Sequence, residues 1–166
     1  AWGCYIEGNG SWDFAALQPG DYFIKARPNT IDFADEYVPD SLTQEGAQRF
    51  SVGAGDTVDV VIELDRSAMI DVTVNGPDGN PVDYAEVIAY PSFAPYSARI
   101  DYPWCWIATE EPGRRVIGCL HPAFDYKLLA SGGWSDLDNE FYQDTVSPSA
   151  AQVIDVIEGG TVGPFV

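Results

Sequence analysis

The sequence predicts an all-β chain of tandem Greek-key-like β-sandwich repeats, the first of them incomplete. Three observations predict it. Aromatic and β-branched residues run along the whole chain and are interrupted by 16 Gly and 12 Pro, which suits many short strands joined by turns. No window rich in Ala, Leu, Glu and Lys marks a long helix. The third observation is an internal repeat, and it sets the architecture.

Leu17-Gln18-Pro19-Gly20-Asp21-Tyr22 resembles Leu120-His121-Pro122-Ala123-Phe124-Asp125-Tyr126. From Asp21 onward the register holds without a gap at an offset of 104 residues. In positions 21 to 58, 12 of 38 pairs are identical, among them Asp21/Asp125, Tyr22/Tyr126, Glu36/Glu140, Asp40/Asp144, Gly55/Gly159 and Val58/Val162. Chance gives roughly a fifth of that for average composition. Ile24/Leu128, Tyr37/Phe141 and Phe50/Ile154 are conservative pairs, and upstream Trp2-Gly3-Cys4-Tyr5-Ile6 faces Trp104-Cys105-Trp106-Ile107. A complete unit is therefore expected over residues 66–166. Residues 1–65 form a partial unit that lacks its first hairpin, the counterpart of 66–103.

Within the complete unit the elements follow in order. Residues 69–75 alternate and end in Gly76-Pro77-Asp78-Gly79-Asn80, a strong turn signal. Residues 82–90 make the returning strand. Residues 104–108 and 114–120 flank Glu110-Glu111-Pro112-Gly113 and predict a second hairpin. Strands are then expected over 124–130, near 141–144, over 152–157 and over 161–166. Seven or eight short strands with frequent turn signals read as a sandwich.

Composition narrows the function. With 166 residues, 46% of them hydrophobic and 13% aromatic, the chain can bury a core and is not disordered. A net charge of −18, from 26 acids against 8 bases, repels phosphate backbones and anionic membranes, so no nucleic-acid partner is expected. Such charge keeps exported proteins apart, suits salty water, or serves divalent cations. No apolar run approaches a membrane span, so no membrane insertion is expected. No signal peptide is visible, and Ala1 is either a mature N-terminus or an arbitrary boundary.

Ile70-Asp71-Val72-Thr73-Val74, Asp78-Gly79-Asn80-Pro81-Val82 and Ala85-Glu86-Val87 together resemble carboxypeptidase regulatory-like domains. Leu17-Gln18-Pro19-Gly20-Asp21-Tyr22 fits a later turn of the same family, and Leu120–Tyr126 fits it with one extra residue. The resemblance implies prealbumin-like (transthyretin-like) β-sandwiches. It also implies a secreted, extracellular or cell-surface setting, because such domains accompany secreted carboxypeptidases, outer-membrane receptors and surface adhesins as spacers, stabilisers or binding modules. Related adhesin sandwiches carry Lys–Asn crosslinks. Here the opening strand has no lysine, and none is expected.

Candidate chemistry is sparse. No Gly-x-Ser-x-Gly, phosphate loop, dinucleotide fingerprint or zinc-protease motif occurs, so an enzyme is not expected. His121 is the only histidine and aligns with Gln18, which reads as a structural turn residue. Cys105 and Cys119 flank a hairpin and are expected to form a disulfide, the other reading being two buried thiols. Cys4 is left over, either a small buried hydrophobe or an intermolecular thiol. Without Cys-x-x-Cys and with one His, a zinc site is not expected. Asp136, Asp138 and Glu140 form an acidic cluster, echoed by Asp32, Asp35 and Glu36; the readings are a Ca²⁺ site and a solvated loop. Otherwise no cofactor is expected. Phe93, Tyr96, Tyr102, Trp104 and Trp106 make an aromatic run that either binds a glycan or protein ligand or packs between repeats.

A sandwich missing two strands exposes core side chains and unpaired backbone. The gap is filled by upstream chain, by a neighbour's strand, or by rearranged packing of residues 1–65 on the second unit. Strand addition repeated head to tail builds a fibre. The expected function is an extracellular structural protein, a homo-oligomeric or polymeric subunit of a filament or surface layer. The alternatives are a cell-adhesion module and an accessory domain of a secreted enzyme.

Overall fold

The computed structural model describes residues 10–11, 13–28, 30–82, 85–93, 106–109, 111–131 and 138–166. Among them the chain is nearly all-β, with one short 3-10 turn at Gln44–Gly46. The strands are β1 Gly20–Tyr22, β2 Lys25–Ala26, β3 Glu36–Tyr37, β4 Phe50–Val52, β5 Ala68–Thr73, β6 Glu86–Pro91, β7 Trp106–Ala108, β8 Arg114–Leu120, β9 Tyr126–Ser131, β10 Glu140–Phe141 and β11 Thr161–Phe165.

The C-terminal half holds two sheets, ordered β11-β5-β8-β7 and β10-β9-β6. Alternation along β5 turns Ala68, Ile70 and Val72 inward, where they meet Ile117 and Leu120 of β8. Val87 and Ala89 of β6 and Tyr126 and Leu128 of β9 join the same cluster from the other sheet, and Ile154 closes it. The two sheets therefore share one core. Each fully buried Leu- or Ile-sized side chain there contributes about 1.5–3 kcal/mol. The other face of β6 and β9 buries Ile88, Tyr90 and Leu129 with Phe141 and Ala151. On β5, the Asp71 carboxylate accepts from Arg114 Nε at 2.9 Å and Nη2 at 2.7 Å, a bidentate ion pair across β5 and β8.

The turn at 76–80 forms as expected. The Gly76 N–H bonds Asn80 O at 2.8 Å, the Asp78 carboxylate accepts from the Asn80 amide, and Gly79 takes φ +77°. The returning strand differs from expectation. After the Asn75–Pro81 bridge the chain leaves the sheet of β5, and β6 pairs with β9 in the other sheet. The β7–β8 hairpin forms, with Trp106 opposite Ile117. β11 runs parallel to β5 with a register shift between Val162 and Phe165. Gly163 sits at that shift with φ +121°, where a side chain would run into Asp71 O.

In the N-terminal half, backbone pairings recur at the 104-residue offset. Tyr22 faces Phe50 in β1–β4, and Tyr126 bridges Ile154. Lys25 faces Tyr37 and Ala26 faces Glu36, as Leu129 faces Phe141 and Ala130 faces Glu140. The Tyr37–Ser41 bridge matches Phe141–Thr145, and Asp40 and Asp144 both have positive φ. The surroundings differ. Tyr126 and Leu128 are buried, whereas Tyr22 and Ile24 are only half-buried.

Residues 30–36 join the two halves. The Ala34 amide donates to Asp65 O, the Ser67 amide to Asp32 O and the Ser67 hydroxyl to Ile31 O. Phe33 bridges Arg66, and the Asp35 amide reaches Cys119 O at 3.5 Å. Gly118 lets this segment approach β8: a Cβ there would lie 3.0 Å from Ile31 Cβ.

Candidate functional site

Where the halves meet, three ligating side chains converge. Glu36 comes from β3, Asp65 from the stretch leading into β5, and His121 from the turn that follows β8. Their nearest nitrogen and carboxylate oxygen atoms all lie within 4.8 Å of one another, the one such group of His, Cys, Asp or Glu among the described residues. His121 Nε2 is 3.6 Å from Glu36 Oε2 and 3.6 Å from Asp65 Oδ2. The Glu36 and His121 side chains are each 1% exposed, while that of Asp65 is 40% exposed. The group is thus buried on two sides and opens toward solvent past Asp65.

The turn fixes the histidine. The Tyr126 hydroxyl accepts the His121 N–H at 2.9 Å and donates to His121 O at 3.2 Å, deep in the core. His121 Nδ1 accepts the Ala123 N–H at 3.2 Å, so the neutral ring carries its proton on Nε2, facing the two carboxylates. Phe124 packs edge-on at 5.0 Å between centroids. At 3.6 Å the Nε2–carboxylate separations are too long for hydrogen bonds, and neither Nε2 nor Glu36 Oε2 has a hydrogen-bond partner.

Electrostatics here is one-sided. Burial is the largest influence on Glu36 and, with Asp40, Asp65 and Asp35 adding repulsion, pushes its carboxyl up to about 7, although the Asp65 backbone amide donates to it. Burial holds His121 below its usual range, against the pull of Asp65 and Asp40. The bases on this side serve Asp35 instead: Lys25 Nζ sits 2.9 Å from one of its oxygens, and Arg27 Nε 3.9 Å from the other.

The residues singled out in the sequence fare differently. Cys119 is disulfide-bonded; Cys105 and Cys4 lie outside the described residues. Asp136 also lies outside them, and Asp138 and Glu140 are exposed and belong to no ligating cluster among them. Tyr96, Tyr102 and Trp104 lie outside too, and the backbone of Trp106 is in β7. Phe93 is 56% exposed, its ring 5.2 Å from that of Phe124. His121, read in sequence as a structural turn residue, faces Glu36 and Asp65 across the junction. Asp65 had no signal in sequence, because only the tertiary contact brings it there. No helix among the described residues is long and apolar enough to cross a membrane.

A second feature is an unpaired segment. Residues 57–61 stand 104 residues before β11, yet belong to no strand pairing among the described residues. Val58 and Val61 are 43% and 86% exposed, whereas Val162 and Phe165, at the same positions of the later half, pack against the core. Compared with known proteins, the chain matches no family model, no curated protein and no solved structure.

Proposed function

We propose that the chain is a non-enzymatic extracellular structural module of tandem β-sandwich repeats, a filament or surface-layer subunit whose first repeat is completed by a neighbour's strand. The unpaired segment at 57–61 carries this reading. In the later half, Thr161, Val162 and Phe165 lie parallel to Met69, Ile70 and Val72 of β5. The earlier half presents the matching Thr57-Val58-Asp59-Val60-Val61, rich in β-branched residues, with nothing across from it among the described residues. An uncovered strand-forming segment with exposed valines is a template for strand addition.

The occupant is a strand of the β5 pattern, Ala68-Met69-Ile70-Asp71-Val72-Thr73, laid parallel on 57–61 so that it pairs with the backbone beside Val58 and Val61. It comes from an adjoining repeat or from a second chain. Repeated between chains, the contact is heterologous and extends into a fibre.

The test adds a peptide spanning residues 67–75 to isotope-labelled protein. The amide signals of 57–64 are expected to shift, and Val61→Lys, at a side chain that touches little in the fold, is expected to abolish the effect. Amides that stay unmoved, in a protein that electron microscopy shows only as separate particles, would sink the proposal.

A further inference from the structure

We propose that Glu36, Asp65 and His121 form a binding site for a divalent transition-metal ion of the zinc class, clasping the two halves of the chain. The geometry is that of ligands rather than of hydrogen-bond partners. Two donor atoms sharing one tetrahedral ion at about 2.0–2.2 Å lie roughly 3.3–3.6 Å apart. The separations from His121 Nε2 to Glu36 Oε2 and to Asp65 Oδ2 are both 3.6 Å. Nε2 and Oε2 are buried, aimed at each other and without hydrogen-bond partners. An ion between them satisfies both, and the two carboxylates balance its charge. Asp40, Asp65 and Asp35 all set negative charge against Glu36.

The donor set selects the ion. An imidazole with two carboxylates suits Zn²⁺ and its neighbours, whereas Ca²⁺ prefers six to eight oxygens at longer range. Three protein ligands leave one position, on the side where Asp65 reaches solvent, for water. Binding carries one structural cost. An ion on Nε2 moves the ring proton to Nδ1, which now accepts the Ala123 amide at 3.2 Å. Giving up that hydrogen bond costs roughly ten-fold in affinity. None of its ligands belongs to the segment at 57–61.

The test uses the chelator-treated protein and Zn²⁺ alone. Because the chain has a single histidine, its imidazole nitrogen signals report the site directly. Zn²⁺ is expected to shift Nε2, to turn Nδ1 into an N–H and to move the Ala123 amide, with one ion bound per chain by calorimetry. Losing a ligand is expected to weaken binding by more than the roughly 10–100-fold of an outer-shell partner. Asp65→Asn, at a partly exposed side chain, tests this with little risk to folding, and Glu36→Gln keeps the shape and the acceptor for the Asp65 amide. Imidazole signals unmoved by Zn²⁺, equal binding by Ca²⁺, or unchanged affinity in both variants would overturn the site and leave only surface carboxylates holding the ion.

Discussion

Replacing Glu36 by glutamine in the metal-free protein removes a pH dependence whose sign is opposite to that of an ordinary paired carboxylate. Burial, then Asp40 and Asp65, raise this carboxyl from 4.5 to about 7. The unfolded chain releases the proton near 4.5 and the folded chain near 7. Between those values the folded state holds more protons, so stability falls as pH rises. The contribution is fully present below 4.5 and gone above about 7. At about 1.4 kcal/mol per pKa unit the loss is on the order of 3 kcal/mol, a large share of the roughly 5–15 kcal/mol that holds a domain folded. His121 slopes the other way: burial keeps it below 6.5, so its folded form is short of protons there and stability falls as pH falls through 6.5. The two oppose each other just below 6.5, and Glu36 acts alone above. The assay is urea denaturation of wild type and Glu36→Gln with chelator, from about pH 5 to about pH 8. The variant is expected to gain on the wild type by about 2–3 kcal/mol across that range, ending the more stable. A difference that stays flat with pH refutes the buried-carboxyl argument.

Two further outcomes follow from packing. Leu128→Ala, at a side chain 2% exposed in the shared core, is expected to cost about 2–5 kcal/mol, whereas Ile24→Ala at the matching half-buried position costs less; equal losses by denaturation would mean the earlier half is as closed as the later one. Gly118→Val drives a side chain into Ile31, 3.0 Å from the new Cβ, and is expected to cost about 1–3 kcal/mol. Adding Ile31→Ala is expected to recover part of that loss in a double-mutant cycle, and strict additivity would show that the two do not touch.

The likeness between the halves was legible in the sequence, and the pairings made inside each half recur at that same spacing. Tyr22 with Phe50 repeats as Tyr126 with Ile154, and Glu36 and Glu140 both lie opposite alanines, although the offset alone does not say which residues face each other. The turn at 76–80 was legible because Asp78 bonds its own neighbours. The partner of β6 was not, since alternation tells which face a strand buries and not which strand it pairs with. Nor was the candidate site. Glu36 and Glu140 are the same residue in the same register, one buried and the other exposed. What separates them is residues 118–121 folding over the first and not over the second, a fact that no pattern within one half contains.

The two features of the junction share a single stretch of chain, and this decides how they can be told apart. Val61 and Asp65 are four residues apart, so a strand laid on 57–61 lies one short stretch of chain before the one ligand that faces solvent. Val61→Lys alters the segment and leaves every ligating atom in place; Asp65→Asn alters a ligand and leaves the valines exposed. If strand and ion act separately, each variant abolishes one binding event and spares the other. If the ion stiffens the stretch that the strand must meet, Zn²⁺ strengthens peptide binding, and the peptide strengthens Zn²⁺ binding by the same factor, because coupling between two binding equilibria is reciprocal. Asp65→Asn then removes the enhancement without removing peptide binding itself.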